Sequence, residues 1–147
     1  MSLKTEIKDA MKAAMRSGDK PRLGAIRLIQ ADIKRIEVDE RIEVDDARVL
    51  VILDRMLKQR RDSISQYEGA SRQDLADIEI AEVAVIQDFL PEALTEEELA
   101  AMIDAAIAST GASSMKDMGQ VMAIIKPQAQ GRTDIGKLSQ SIKAKLS

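Results

Sequence analysis

Residues 90–98, with the sequence LPEALTEEE, contain the end of one predicted helical domain and the start of another. Pro91 has no backbone N–H and its ring clashes with the preceding turn, so a helix that approaches it must end. Thr95 and Glu98 are three residues apart, which is the spacing of a capping box at a helix start. The stretch therefore predicts a domain boundary at Pro91. The predicted domains are an N-terminal helical domain over residues 1–91 and a C-terminal domain over residues 92–147.

The part before Pro91 is predicted to contain four helices. The first has an apolar residue at every fourth position, which places these side chains on one helix face. They are Leu3, Ile7, Met11 and Met15. Gly18 is predicted to end this helix. The starts of the next three are marked by a proline in the first turn or by capping residues, at Pro21, at Asp45 and at Ser71 with Asp74.

Three more helices are predicted after Pro91. The helix that begins at Thr95 ends near Gly111. Ser114 with Asp117 begins the next one, and Pro127 closes it. A polar link over residues 128–131 leads to the last helix, whose apolar positions are Ile135, Leu138, Ile142 and Leu146. No stretch alternates long enough to predict a strand, so the predicted fold class is all-α, with a four-helix N-terminal part and a small three-helix C-terminal part.

The composition excludes several kinds of active site. The 147 residues contain no Cys and no His, so there is no thiolate nucleophile, no disulfide and no imidazole base or metal ligand. No Gly-x-Ser-x-Gly elbow and no Walker-type Gly-Lys-Ser/Thr loop is present. We therefore expect no catalytic centre, cofactor or metal. No apolar stretch is long enough to span a membrane, and the N-terminus lacks the apolar run of a secretory signal, so we expect a cytoplasmic protein.

Charge is distributed unevenly along the chain, although the net charge is −3. Residues 1–35 carry nine Lys/Arg and four Asp/Glu, residues 36–108 carry seven and nineteen, and residues 109–147 carry six and two. The basic ends either lie in solvent or pack against the acidic middle, or they contact a polyanion. Aromatic residues make up 1% of the chain, which argues against stacking on single-stranded bases and favours contact with the backbone of a folded RNA.

Two further features have alternative interpretations. Residues 131–137, with the sequence GRTDIGK, form either a weak anion site at a helix start or a loop followed by an N-cap. The paired carboxylates Glu79 and Glu82, and the run at residues 96–98, are predicted to lie on solvated faces or to interact with a helix dipole.

Two sets of residue strings resemble a known family. One set contains KQRRDSISQY at 58–67, RQDLA at 72–76 and FLP at 89–91. The other contains GASSMKDMGQVM at 111–122, followed by Gly131-Arg132 and Asp134. Together they resemble the YqeY family over essentially the whole chain. The C-terminal part of that family is similar to the tail of GatB, a subunit of the tRNA-dependent amidotransferase.

The resemblance implies a four-helix N-terminal part and a three-helix C-terminal part. In the amidotransferase the corresponding tail helps to grip tRNA, whereas amidation and ammonia release occur elsewhere. Many YqeY-like chains carry lysine after the glycine at the position of Gly119, where this chain has Gln120. The missing cation weakens the case for phosphate binding at that position. Gly119 is expected to permit close helix packing.

The preferred hypothesis is a non-catalytic accessory protein whose C-terminal helices bind tRNA or a tRNA-bound assembly. The shared tail and the basic balance of residues 109–147 support it. The predicted phosphate contacts are Lys116, Lys126, Arg132 and Lys137. One alternative is a carbon–nitrogen ligase with glutamine as amido-N-donor, or part of such an enzyme. The other is a protein–protein adaptor, in which the basic first helix and the acidic middle meet a partner or a second copy.

Overall fold

The computed structural model describes residues 2–147. Over this range the chain forms seven α-helices, one short 3-10 helix and no strand, which confirms the all-α prediction. The helices are α1 (Leu3–Ser17), α2 (Lys20–Glu40), α3 (Asp46–Gly69), α4 (Gln73–Gln87), α5 (Glu96–Thr110), α6 (Met118–Ala129) and α7 (Ile135–Leu146), and the 3-10 helix spans Met115–Asp117. No helix in this part of the chain is long and apolar enough to cross a membrane.

The contacts divide the chain into two compact units, an N-terminal unit that ends at Leu90 and a C-terminal unit over Pro91–Ser147. The N-terminal unit holds α1 to α4 and the C-terminal unit holds α5 to α7. Each has its own aliphatic core, as the near-absence of aromatic residues requires. The largest fully buried side chains are Ile7, Ile26, Ile29, Val49, Leu53, Met56 and Ile86 in the N-terminal unit, and Ile103, Val121, Ile125, Leu138 and Ile142 in the C-terminal unit.

Capping residues set the turn between α1 and α2. Gly18 ends α1 with a φ of 71°, in the left-handed region that glycine adopts without strain. Asp19 then begins α2 by accepting a hydrogen bond from the backbone N–H of Arg22 at 3.2 Å. Because the link is only two residues long, α2 doubles back and packs along α1.

The helices α3 and α4 form the other closely packed pair of the N-terminal unit. Asp45 begins α3 by accepting a hydrogen bond from the backbone N–H of Arg48 at 2.9 Å, as predicted. Between the two helices, the Nε of Arg60 lies 2.8 Å from an oxygen of Glu82. These side chains are 14% and 21% exposed, so Glu82 is part of a partly buried ion pair, and the prediction of a solvated face is wrong for it.

The predicted capping box at the start of α4 is wrong. Ser71 lies one residue before the N-cap position, with a φ of 59°, and the N-cap residue Arg72 makes no side-chain capping hydrogen bond. The carboxylate of Asp74 instead accepts two hydrogen bonds from the guanidinium of Arg72, at 3.0 and 3.1 Å. A bidentate bond to arginine is stronger than a bond to a neutral donor, which explains why Asp74 does not form the box.

The predicted end of α6 at Pro127 is also wrong, because the helix continues through Ala129. Proline has no N–H to donate within a helix, but the helix can continue when the N–H groups after the proline donate to carbonyls one turn earlier. Here the N–H of Gln130 donates to the carbonyl of Lys126 at 2.9 Å. The link to α7 therefore covers residues 130–134 and begins two residues later than the predicted link at 128–131.

Candidate nucleic-acid interface

The C-terminal unit begins at the predicted capping box. The N–H of Glu98 donates to the Oγ1 of Thr95 at 3.1 Å, and the Glu98 carboxylate accepts from the N–H of Thr95 at 3.4 Å. The box starts α5, and Gly111 ends it with a φ of 68°. Both helix limits match the prediction, because each depends on residues within one turn of the helix end.

The entry to α6 differs from the prediction in one detail. Ser114 precedes the 3-10 helix, and α6 itself begins at Met118. The carboxylate of Asp117 accepts hydrogen bonds from the N–H groups of Ser113, at 3.0 Å, and Ser114, at 3.4 Å.

Gly119 is exposed, and a Cβ at this position would meet no atom within 4 Å. The expectation that Gly119 permits close helix packing is therefore wrong.

Arg132, one of the predicted phosphate contacts, connects the α6–α7 link to the segment before α5. Its Nε donates to the carbonyl of Glu92 at 2.9 Å, and its own carbonyl accepts from the N–H of Leu94 at 2.8 Å. A second guanidinium nitrogen lies 3.9 Å from the Glu98 carboxylate. We call this set of contacts the Arg132 latch. The residue before it, Gly131, is buried with a φ of 78°, a backbone conformation in which any other residue would be strained.

Asp134 occupies the start of α7. Its carboxylate accepts a hydrogen bond from the N–H of Gly136 at 2.8 Å. A carboxylate at this position interacts favourably with the helix dipole and takes the place that a bound anion would fill. Of the two interpretations of residues 131–137, the structure therefore favours the loop followed by an N-cap.

The other three predicted contacts are exposed lysines. Lys116 lies on the 3-10 helix, Lys126 in the last turn of α6 and Lys137 in the first turn of α7. Lys126 and Lys137 therefore lie on either side of the α6–α7 link, whereas Lys116 lies beyond the opposite end of α6, which is about 18 Å long. Over residues 2–147, none of these three lysines takes part in a salt bridge.

The last turn of α7 contains a cation that the sequence analysis missed. Lys143 is exposed and, within the described range, forms no salt bridge, whereas Lys145 pairs with Asp104 of α5. The basic balance of residues 109–147 includes Lys143, but charge counting does not show which lysines have carboxylate partners. The acidic residues of this unit are concentrated in α5 and in the segment before it, namely Glu92, Glu96, Glu97, Glu98 and Asp104.

Possible enzymatic groups are sparse in the described residues. No cluster of three or more Asp or Glu side chains is arranged to hold a metal ion in residues 2–147. Two Ser-x-x-Lys sequences occur, at residues 17–20 and 113–116, and no hydrogen bond joins serine to lysine in either. The pKa of Glu79 is raised because the carboxyl is partly buried and because Glu82 is nearby. Arg60, which pairs with Glu82 between α3 and α4, lowers this pKa. We therefore interpret Glu79 as part of the contact between these two helices.

Comparisons with known proteins identify fungal relatives. The chain is 30% identical over 137 residues to a Pyrenophora tritici-repentis protein named altered inheritance of mitochondria protein 41, mitochondrial, with 90% of this chain and 76% of the relative aligned. Proteins of the same name are 34% identical over 85 residues in Vanderwaltozyma polyspora and 32% identical over 95 residues in Kluyveromyces lactis. The aligned parts make up 46% and 51% of these two relatives, so the chain spans about half their length.

A sequence model of one family matches nearly the whole chain. The match runs over residues 4–146 and therefore includes all the helices of both units except the first residue of α1. The chain belongs to the YqeY-like protein family.

Proposed function

We propose that this protein is a non-catalytic accessory factor that binds tRNA, or an assembly that contains tRNA, through its C-terminal unit. The observation that carries the proposal is the set of exposed lysines Lys116, Lys126 and Lys137, which form no salt bridge within residues 2–147. An unpaired lysine on a helix surface is free to approach a phosphate, and each phosphate contact releases counterions from the nucleic acid. The resemblance of this unit to the GatB tail points to tRNA among folded RNAs.

Arg132 has a different role in this proposal from that of the three lysines. Its guanidinium already donates to a backbone carbonyl, and its side chain is 32% exposed. Arginine has five N–H donors, so the latch leaves donors for a phosphate. We propose that Arg132 holds the α6–α7 link in place and contributes less to RNA affinity than the lysines do.

The test is a filter-binding titration of bulk tRNA with the Lys116→Gln/Lys126→Gln/Lys137→Gln variant. Each duplex phosphate contact contributes about 0.9 to the slope of log affinity against log salt concentration. We therefore expect the salt dependence of the wild type to exceed that of the variant by three contacts. Between about 50 and 200 mM salt, the affinity of the wild type should fall roughly 40-fold more than the affinity of the variant.

The matched control removes three cations from the N-terminal unit instead. Arg55, Lys58 and Arg61 are exposed on α3, and no salt bridge involves them in the described range. The Arg55→Gln/Lys58→Gln/Arg61→Gln variant has the same net charge as the C-terminal variant. We expect it to keep the wild-type salt dependence. Equal losses in both variants would indicate an effect of net charge alone and would contradict the proposal.

The ligase alternative is tested by measuring ammonia release from glutamine by the purified chain. A glutamine-dependent ligase needs a nucleophile with a base beside it, and the sequence offers neither Cys nor His for these roles. We expect no release above the rate of heat-denatured protein. Release that is lost with a single Ser→Ala substitution would establish the enzyme and replace the accessory role.

The adaptor alternative has support from one groove in the N-terminal unit. The groove lies between α2 and α4, has a volume of about 760 Å³ and includes Leu28 and Ile78, which are 45% and 59% exposed. Exposed aliphatic side chains that line a groove are typical of a surface that contacts another protein. A molecular mass that rises with concentration in light scattering, together with no tRNA affinity, would favour the adaptor.

A further inference from the structure

The groove between α2 and α4 is bordered by helices that run in opposite directions. Near the start of α2, Arg22 pairs at 2.7 Å with Asp88, which directly follows α4. The start of α2 therefore lies beside the end of α4. Along α4 the groove reaches back to Asp77, which lies about 16 Å from Asp88 at 1.5 Å per residue. Asp77 and the start of α2 thus mark opposite ends of the groove.

The middle of this groove is apolar and open. Small residues line it from both helices, namely Gly24 and Ala25 of α2 and Ala81 of α4. Two large aliphatic side chains stand beside them, Leu28 at 45% exposure and Ile78 at 59%. The space between the helices amounts to about 760 Å³. Burial of such side chains against another apolar surface is favourable, so the groove is suited to a macromolecular contact.

Gly24 is a glycine that the packing of this chain does not require. It lies in the interior of α2, where glycine is less favourable than alanine. Its φ is not in the left-handed region, and a Cβ built on it would meet no atom outside its own helix within 4 Å. The absent side chain does, however, let another molecule approach the backbone of α2 closely.

The groove carries one charge without an ion-pair partner at each end. Three of its five charged side chains have partners, namely Asp19, which caps α2, Arg22, which pairs with Asp88, and Glu82, which pairs with Arg60. Lys20, at the start of α2, forms no salt bridge within residues 2–147. At the other end, the Asp77 carboxylate accepts a hydrogen bond from the neutral amide of Gln73 at 2.7 Å and forms no salt bridge in that range.

We propose that the α2–α4 groove binds the same groove of a second copy of this chain, in a two-fold symmetric dimer. Rotation by 180° about an axis perpendicular to the groove exchanges its two ends. Lys20 of each copy then faces Asp77 of the other, and the apolar middles face each other across the axis. A two-fold interface requires a patch that is complementary to itself, and a cation at one end with a carboxylate at the other meets this requirement.

Sedimentation velocity of the full-length protein without RNA, from about 1 μM to about 1 mM, measures the dimerisation constant. The Leu28→Gln/Ile78→Gln variant removes the apolar walls. Four half-exposed aliphatic side chains then no longer become buried in each dimer, so we expect dimerisation to weaken at least about 100-fold. The matched control is Val51→Gln/Ile80→Gln, because these side chains are 43% and 44% exposed and lie outside the groove. We expect the control to stay within about threefold of wild type.

Gly24→Gln separates dimerisation from folding. Glutamine is a better helix former than glycine, and its side chain meets no obstacle within the chain. We therefore expect the melting temperature measured at low protein concentration to be unchanged or higher. Because the new side chain occupies the middle of the groove, dimerisation should weaken at least about tenfold.

A pair of charge reversals tests the arrangement of the two copies. Lys20→Glu alone and Asp77→Lys alone each place like charges at both end contacts, so each variant should dimerise weakly. In an equimolar mixture, the hetero-dimer has one Glu–Lys and one Asp–Lys contact, so both ends are again attractive. We expect the mixture to associate about tenfold more tightly than either variant alone at low salt.

Three results would overturn the proposal. They are a wild-type protein that stays monomeric up to about 1 mM, equal losses in the groove and control variants, and a mixture that associates no better than its separate components. A groove that binds a helix of a different protein would give the first result. The tRNA proposal is tested independently, because Lys116, Lys126 and Lys137 lie in the C-terminal unit and sedimentation is measured without RNA.

Discussion

The Arg132→Ala substitution tests whether this arginine is a structural latch. Its Nε donates to the carbonyl of Glu92 at 2.9 Å, and a hydrogen bond from a charged donor contributes about 1.5–3 kcal/mol. The ion pair with Glu98 at 3.9 Å is exposed and adds little. Because the side chain is 32% exposed, water replaces part of the lost bond. We therefore expect a cost of about 1 kcal/mol, somewhat below this range.

Hydrogen exchange at the amide of Leu94 measures this cost locally, because that amide donates to the Arg132 carbonyl at 2.8 Å. A loss of about 1 kcal/mol should make Leu94 exchange about fivefold faster, while the core amide of Leu53 in the other unit is unchanged. The control is Lys137→Ala, an exposed residue without a salt bridge in the described range. Unchanged exchange at Leu94, combined with a large loss of tRNA affinity, would refute the latch and make Arg132 primarily a phosphate contact.

Three further substitutions test packing and ionisation. Leu138→Ala removes a fully buried side chain from the C-terminal core and should cost about 2–5 kcal/mol in urea unfolding, with a cost under 1 kcal/mol contradicting the packing. The hydrogen bond from Lys4 lowers the pKa of Glu37 in the folded protein. The ionised Glu37 therefore stabilises the fold above the pKa of the unfolded state, and this stabilisation is lost as the pH falls through the folded pKa. Lys4→Met should lower the melting temperature at pH 7 and have a smaller effect in acid. Partial burial raises the pKa of Glu79, so the ionised carboxylate destabilises the folded protein at pH 7. Glu79→Gln should therefore raise the melting temperature at pH 7 and leave it unchanged below the pKa of the unfolded state. An equal gain at both pH values would show that the effect does not come from ionisation.

Features that depend on a few neighbouring residues could be predicted from the sequence. The capping box of Thr95 and Glu98 and the glycine end at Gly18 form as expected, because their partners lie within one helical turn. The box expected from Ser71 and Asp74 fails because the intervening Arg72 offers the carboxylate a stronger partner. A local motif is thus reliable only where no competing charged donor is close.

Features that depend on tertiary contacts could not be predicted in this way. Charge and position made Arg132 a candidate phosphate contact, but its hydrogen-bond partner is the backbone of Glu92, 40 residues away. For the same reason, the sequence does not separate Lys137, which forms no salt bridge in the described range, from Lys145, which pairs with Asp104.

The most direct test of tRNA binding by the C-terminal unit is a titration of isotope-labelled protein with unlabelled tRNA, followed by NMR chemical shifts. We expect the amide signals of Lys116, Lys126 and Lys137 to shift or broaden at low tRNA ratios, and these changes to weaken as salt is raised. Signals of α6 and α7 that remain unchanged at saturating tRNA would contradict it.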